Sequence, residues 1–463
     1  MTSIEIGISK AGTVVSLPLA KANRHGLVTG STGSGKSTTL QRLAEEFSKA
    51  GVPVIGARGD DASPLAQRTR ALGGQFAADR FPVAFWDMFG THGLPIRTSV
   101  QEMGSDLLSR MLGLNEVQSG TLAIAFKKSD DERSWILTLD DLRWTLHEMS
   151  ENREEVCERY GNVTAASIAA IQRNILALEA QGGDLLFGEP RFDILDLIRT
   201  DAAGRGVVNL LHADQLMEAP RCYSVFLLWL LTELFRTLPE VGDLDKPKLA
   251  FFFDEAHLLF RDAPKPLIQQ IERLVRLVRS KGVAVFFVTQ SPADVPETVL
   301  AQLGNRIAHS LRAFTPAGLK LARATAAAFR ENRGIDVKAE ITALGVGEAF
   351  ISVLDDAGIP TRVERVSIIP PSGQVGPISD LERAALMDTS PMRARYGSEP
   401  GEAESNHAFY NRMRRQRGMP EEAFKVVWQE GDYRKFLPDF SGSMPPPAAL
   451  NASWRGLVGW SAL

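Results

Sequence analysis

Gly30-Ser31-Thr32-Gly33-Ser34-Gly35-Lys36-Ser37 fits the spacing G-x-x-x-x-G-K-[ST], and its flanks decide what it is. Leu27-Val28 ahead of it is apolar and strand-like. Thr38 to Ala50 behind it carries Leu40, Leu43 and Phe47 at helical spacing. Gly51 stops that helix, and Val52-Pro53-Val54-Ile55 starts the next strand. Strand, glycine loop, helix and strand make a βαβ unit, which requires a parallel sheet. The glycines let the backbone curl until successive N–H groups face one phosphate, and the helix N-terminus adds partial positive charge. Lys36 then reaches the β- and γ-phosphates, and Ser37 offers its hydroxyl to Mg2+. Residues Gly30, Ser31, Thr32, Gly33, Ser34, Gly35, Lys36, Ser37 and Thr38 are the candidate ATP-binding segment. A Gly/Ser-rich loop with an accidental lysine is the bland alternative, and its setting between strand and helix argues against it.

A second strand ends in acids. Phe251-Phe252-Phe253 is continuously apolar, as in the centre of a parallel sheet covered on both faces, and Asp254-Glu255 follows it. Asp254 at the carboxyl edge is the candidate Mg2+ ligand, and Glu255 the candidate general base for an attacking water. Val283 to Val288 is the next central strand. It delivers Gln290, placed to sense the γ-phosphate or orient water between the two nucleotide motifs. Arg276 and Arg279 lie three apart on one helical face ahead of that strand. In a ring either can serve as an arginine finger on a neighbour's γ-phosphate, Arg279 first, and a solvated helix face is the alternative. His257 reads as a packed or capping residue. His25 reads likewise, with a place near the nucleotide base as its alternative. Phe226, Trp229, Leu230 and Leu234 read as core.

The rest of the chain bounds the possibilities. Its 463 residues are 44% hydrophobic and 23% charged, which excludes a mainly disordered, collagenous or coiled-coil protein. Lys+Arg 52 against Asp+Glu 56 leaves a net charge of −4, so a nucleic-acid contact must be a local basic channel and not a basic coat. Cys157 and Cys222 have no partners at metal-ligand spacing, so reduced thiols and a cytoplasmic setting are expected. The N-terminus lacks a signal-peptide pattern, and the apolar run Val225 to Leu231 falls short of a membrane span.

Residues 4 to 17 read as a hairpin ahead of the first core strand. Residues 1–98 hold that hairpin and the first part of an ATPase core. Residues 99–204 read as a helical insertion, 205–369 as the second part of the core, and 370–463 as a peripheral, partly disordered arm. Gly206 to Leu211 and Arg306 to Arg312 are further strands; Arg221 to Leu238 and Leu267 to Arg279 are helices.

Taken together, GSTGSGKST, FFFDEAHLLF, RLVRSKGVAVFFVTQSP and TVLAQLGNRIAHSL resemble the HerA/FtsK superfamily of ring ATPases. ANRHGLVTGSTGSGKSTTLQ, YGNVTAASIAAIQRNILALEAQGGDLLFGEP and LPEVGDLDKPKLAFFFDEAHLLF resemble its bacterial HerA-like branch of the YjgR type. The resemblance covers roughly 15 to 370. It implies an α/β fold, a RecA-like P-loop NTPase core with a mostly parallel central sheet, a homo-hexamer, ATP hydrolysis at subunit interfaces and DNA translocation. It supports Lys36, Ser37, Asp254, Glu255 and Gln290 in their roles, and matches an R-x-x-R-x-x-G stretch to Arg276, Arg279 and Gly282.

There are two departures. Relatives commonly end the second core strand in aspartate, whereas this chain reads Val54-Ile55-Gly56-Ala57-Arg58 with Asp60 and Asp61 slightly late. Only about 25 residues precede the first core strand, too few for the β-barrel that HerA proper carries there.

The expected function is a Mg2+-ATP-driven ring motor acting on DNA as a translocase or helicase-like ATPase. An ATP-gated scaffold or remodelling ring for a protein partner is the alternative. For it the arm offers Arg393, Arg395, Arg412, Arg414, Arg415 and Arg417, with a solvated basic tail as the plainer reading. A small-molecule kinase is disfavoured because Lys36 and Asp254 lie 218 positions apart.

Overall fold

The computed structural model describes residues 2–57, 79–132, 134–188, 190–213, 220–260, 265–312, 315–373 and 378–397. The chain divides into two compact units. Of the described residues, one comprises those within 1–95 and 193–393, and the other those within 96–192 and 394–397. Asp60, Asp61, Arg412, Arg414, Arg415, Arg417 and the Pro-rich stretch from 438 lie outside the described residues.

The first unit is built on a twelve-stranded sheet: β1 Ser3–Ser9, β2 Val14–Pro18, β3 Gly26–Thr29, β4 Val54–Ala57, β5 Val83–Asp87, β6 Leu94–Pro95, β7 Val208–His212, β8 Leu249–Phe253, β9 Val283–Thr289, β10 Asn305–His309, β11 Glu348–Ser352 and β12 Glu364–Ile368. Their order is β2-β1-β12-β11-β10-β3-β9-β8-β4-β7-β5-β6. From β10 to β6 every neighbouring pair is parallel. From β2 to β10 every pair is antiparallel. The expected α/β fold with a mostly parallel sheet is borne out. Strands β5, β6, β11 and β12 are additions that the sequence reading did not contain.

The apolar runs explain the centre. Every residue of β8 and of β9 is buried, as strands covered on both faces must be. The helix that follows the glycine loop, α1 (Lys36–Lys49), lays Phe47 edge-on against Phe252 and Phe286, with ring centroids 6.1 and 5.8 Å away. Phe252 and Phe286 stack on each other across β8 and β9 at 5.0 Å, and Phe253 stacks on Phe287 at 5.2 Å. Phe226, Trp229, Leu230 and Leu234 are buried, as expected of core. No helix among the described residues is long and apolar enough to cross a membrane.

The second unit is helical: α2 Val100–Leu112, α3 Glu116–Glu132, α4 Leu139–Glu151, α5 Arg153–Tyr160 and α6 Ala165–Glu179. Ser99, Thr138 and Thr164 cap α2, α4 and α6 by accepting from backbone N–H groups of the first turn. Leu122, Ala125, Leu142, Leu146, Ile171 and Ile175 are fully buried in its apolar interior. Lys128 is buried between Glu132 and Glu148, 2.5 and 2.9 Å away, so its charge is paired. Residues 193–204, read from sequence as part of the helical stretch, belong with the sheet unit.

Candidate active site

β3 and β8 are separated by one strand, β9. All three run parallel, so their carboxyl ends bring the glycine loop, Gln290 and Asp254-Glu255 to one edge of the sheet. Open α/β sheets bind ligands at this edge.

The loop is shaped by backbone sterics. Gly30, Gly33 and Gly35 have φ of 156°, 77° and 110°. A Cβ on Gly30 would come within 2.6 Å of both His309 Cβ and Ser34 Oγ, so glycine is required there. Gly35 is the N-cap of α1 and its side-chain-free position meets Gly347 backbone. Lys36 Nζ donates to the carbonyls of Gly30 at 2.7 Å and Ser31 at 3.3 Å. Burial pulls the Lys36 pKa down, against the raising effect of the Glu255 and Asp254 charges. Lys36 is therefore buried in a loop of its own backbone and within electrostatic reach of both acids. The Ser37 hydroxyl is exposed, and Ser34 Oγ is buried without a hydrogen-bond partner.

Asp254 is buried, and its Oδ1 accepts from the Glu255 N–H at 2.9 Å. Glu255 has φ 48°, a left-handed conformation that costs a non-glycine residue about 1–2 kcal/mol. Ala256 N–H donates to Val288 O at 2.9 Å, which ties this turn to β9. His257 Nδ1 and Glu255 Oε2 lie 3.2 Å apart. Their alignment is not that of a hydrogen bond, and both atoms are otherwise unpartnered. His257, read as a packed or capping residue, is the first residue of a short helix and also lines the cleft beside Glu255. Gln290 is exposed just past β9. Beside it Thr289 Oγ1 and Ser291 N–H donate to Asp294 Oδ2 at 2.7 and 3.0 Å, which fixes the turn. A cleft of about 420 Å3 opens here, lined by Ser31, Thr32, His257, Gln290 and Arg312 among others.

Sequence reading missed the support under the loop. Ser310 O accepts from both Ser31 N–H and Ser31 Oγ, each at 2.9 Å. His309 is buried, with Nε2 2.8 Å from Thr39 Oγ1 and Nδ1 2.9 Å from Glu348 O. A carbonyl can only accept, so Nδ1 carries the proton. Gly347 N–H donates to Ser34 O at 2.8 Å. These residues come from the end of β10 and the turn before β11; the stretch TVLAQLGNRIAHSL contains His309 and Ser310, but nothing in it marks them as supports of the loop.

Arg276 and Arg279 are not brought to this edge. They precede β9, at its amino end, and Arg276 is exposed. Arg279 Nη2 lies 3.7 Å from Asp243. His25 is also at the amino end, ahead of β3, so the alternative placing it near the base of a nucleotide bound by its own chain is not met. It is buried, Nδ1 accepts from Val285 N–H at 3.1 Å, and its φ is 59°.

The loop's open N–H groups, the buried lysine and the nearby carboxylates suit a nucleoside triphosphate with a divalent cation. Ser37 and Asp254, the candidate ligands for such a cation, are an exposed residue at the start of α1 and a buried carboxylate just past β8. Among solved structures, the conjugative coupling protein TrwB is similar at 16% identity and a TM-score of 0.50, over 81% of this chain and 91% of that one. TrwB in complex with a non-hydrolysable ATP analogue gives the same identity and TM-score, over 82% and 97%. VirB4 of Thermoanaerobacter pseudethanolicus is similar at 15% and 0.50, over 79% and 96%. These likenesses show the fold. No curated protein matches the chain significantly. The family described as Helicase HerA-like C-terminal matches residues 4–434, and the chain belongs to that family.

Proposed function

We propose that the protein is a Mg2+-ATP hydrolase working as a homo-oligomeric ring, a hexamer by family resemblance, that moves DNA in the cytoplasm. The observation that carries the reading is the convergence of Lys36, Asp254, Glu255 and Gln290 at the tips of β3, β8 and β9. The loop N–H groups and the α1 N-terminus bind the phosphates, and Lys36 exchanges its two carbonyl partners for phosphate oxygens. Mg2+, held by Ser37 and Asp254, would neutralise charge on the phosphates. Glu255 takes the proton of the attacking water, and Gln290 orients that water.

Completion of the site by a neighbour is supported by the amino-end position of Arg276 and Arg279. β9 has seven residues, so it separates them from Gln290 by about 20 Å. Family membership and the TrwB-like fold support nucleic acid as the cargo. Particle mass with and without ATP, followed by hydrolysis assays with duplex and single-stranded DNA, tests the reading. A larger particle and salt-sensitive stimulation by DNA are expected. A monomer under every condition with no response to either DNA refutes it.

A further inference from the structure

Arg312 is the one permanent cation among the described residues lining the cleft. It follows β10, three residues after the buried His309 and two after Ser310, whose carbonyl holds Ser31. The strand tip that supports the glycine loop thus also delivers the guanidinium. Arg312 is exposed, and its only hydrogen bond among the described residues runs from Nη2 to Thr32 O at 3.5 Å, the loose limit for such a bond. A guanidinium has five N–H donors, so nearly all of its capacity is open. Gln290 and His257, the neighbour of Glu255, line the same cleft.

We infer that Arg312 contacts the terminal phosphoryl group of a nucleotide bound by its own chain. The slack bond to Thr32 O is exchanged for phosphate oxygens, and the forked donors stabilise charge that develops there during transfer to water. Arg312 therefore acts in cis, on the nucleotide whose loop its own chain supplies. The inference deepens the ring-ATPase reading and rests on it.

Kinetics and subunit mixing test the two separately. Arg312→Gln is expected to lower kcat about 100-fold at an unchanged melting temperature, with nucleotide affinity kept within a few fold. Arg312→Lys restores charge without the fork and is expected to recover part of the loss; it carries the test if the glutamine variant does not fold. Lys36→Ala subunits mixed with Arg279→Ala subunits regain hydrolysis if neighbours share sites, and failure of that pair counts against the ring alone. Arg312→Gln subunits should be rescued by Arg279→Ala subunits and not by Lys36→Ala subunits. The opposite pattern places Arg312 in trans and overturns the inference. A kcat within twofold of the parent's, or a rise in KM alone, overturns it whatever the mixing shows.

Discussion

Phe47, eleven residues beyond Lys36 on the helix that leaves the glycine loop, meets Phe252, two residues before Asp254, edge to face at 6.1 Å. This contact links the two nucleotide motifs beneath their tips, beside the strand pairing through β9. Phe252 lies on the face of β8 where α1 packs, and Asp254 follows two residues on, in the turn past the strand. Phe47→Ala is expected to cost about 3–5 kcal/mol, because a fully buried ring in a three-ring cluster leaves a cavity. Urea unfolding of parent and variant measures it; a loss below about 1 kcal/mol would show that the cluster repacks freely.

Glu255 should separate binding from chemistry. Glu255→Gln keeps the shape and removes the base, so nucleotide affinity holds while kcat falls by about 100-fold or more. Lys36→Ala should weaken nucleotide binding itself, since this ammonium already sits among the loop carbonyls. Calorimetric titration with a non-hydrolysable analogue, beside hydrolysis assays, distinguishes the two. Equal losses of affinity in both variants would contradict the assignment.

His25 makes part of the stability acid-sensitive. Burial, reinforced by the Arg279 and Arg24 charges, lowers its pKa to about 4. The unfolded chain, with an ordinary pKa near 6.5, then binds the proton more tightly than the folded one. The contribution is present above about pH 6.5 and is lost as pH falls towards 4, up to about 3 kcal/mol. His25→Asn suits the left-handed backbone and can still accept from Val285 N–H. Its unfolding free energy should fall less than the parent's between pH 6.5 and 4.5. Parallel curves would sink the prediction.

Glu45 fastens the segment after β12 to α1. Its two oxygens accept from Ser372 N–H at 2.6 Å, Ser372 Oγ at 3.0 Å and Gly373 N–H at 2.7 Å. Glu45→Ala leaves those donors unpaired and should cost about 1–3 kcal/mol. Hydrogen exchange at Ser372 and Gly373 should speed up while exchange in β8 and β9 does not. Unchanged exchange at both residues would show that the carboxylate does not hold the segment.

Much of this was legible in the chain itself. Glycine spacing, helical periodicity after Lys36 and the unbroken apolar runs of β8 and β9 are local properties, and local sterics and burial translate them directly into loop, helix and central strand. Strands β5, β6, β11 and β12 are less distinctive: β6 has two residues, β5 and β12 are only partly buried, and β5 and β11 are also placed by β7 and β10, which lie well away from them along the chain. The same holds for His257, whose place by the cleft depends on the turn that Glu255 makes.

Residue types and spacing alone determined that a phosphate loop, an acidic strand end and a polar strand end exist here, since each is written within about ten consecutive residues. Only the tertiary structure decided the register in which β9 pairs with β3 and β8, and that His309, Ser310 and Arg312 stand under and beside the loop. It also set Arg276 and Arg279 at the opposite edge. Strand order and edge are products of long-range pairing, whose enthalpy comes from backbone groups common to every residue and so leaves no mark on any one of them.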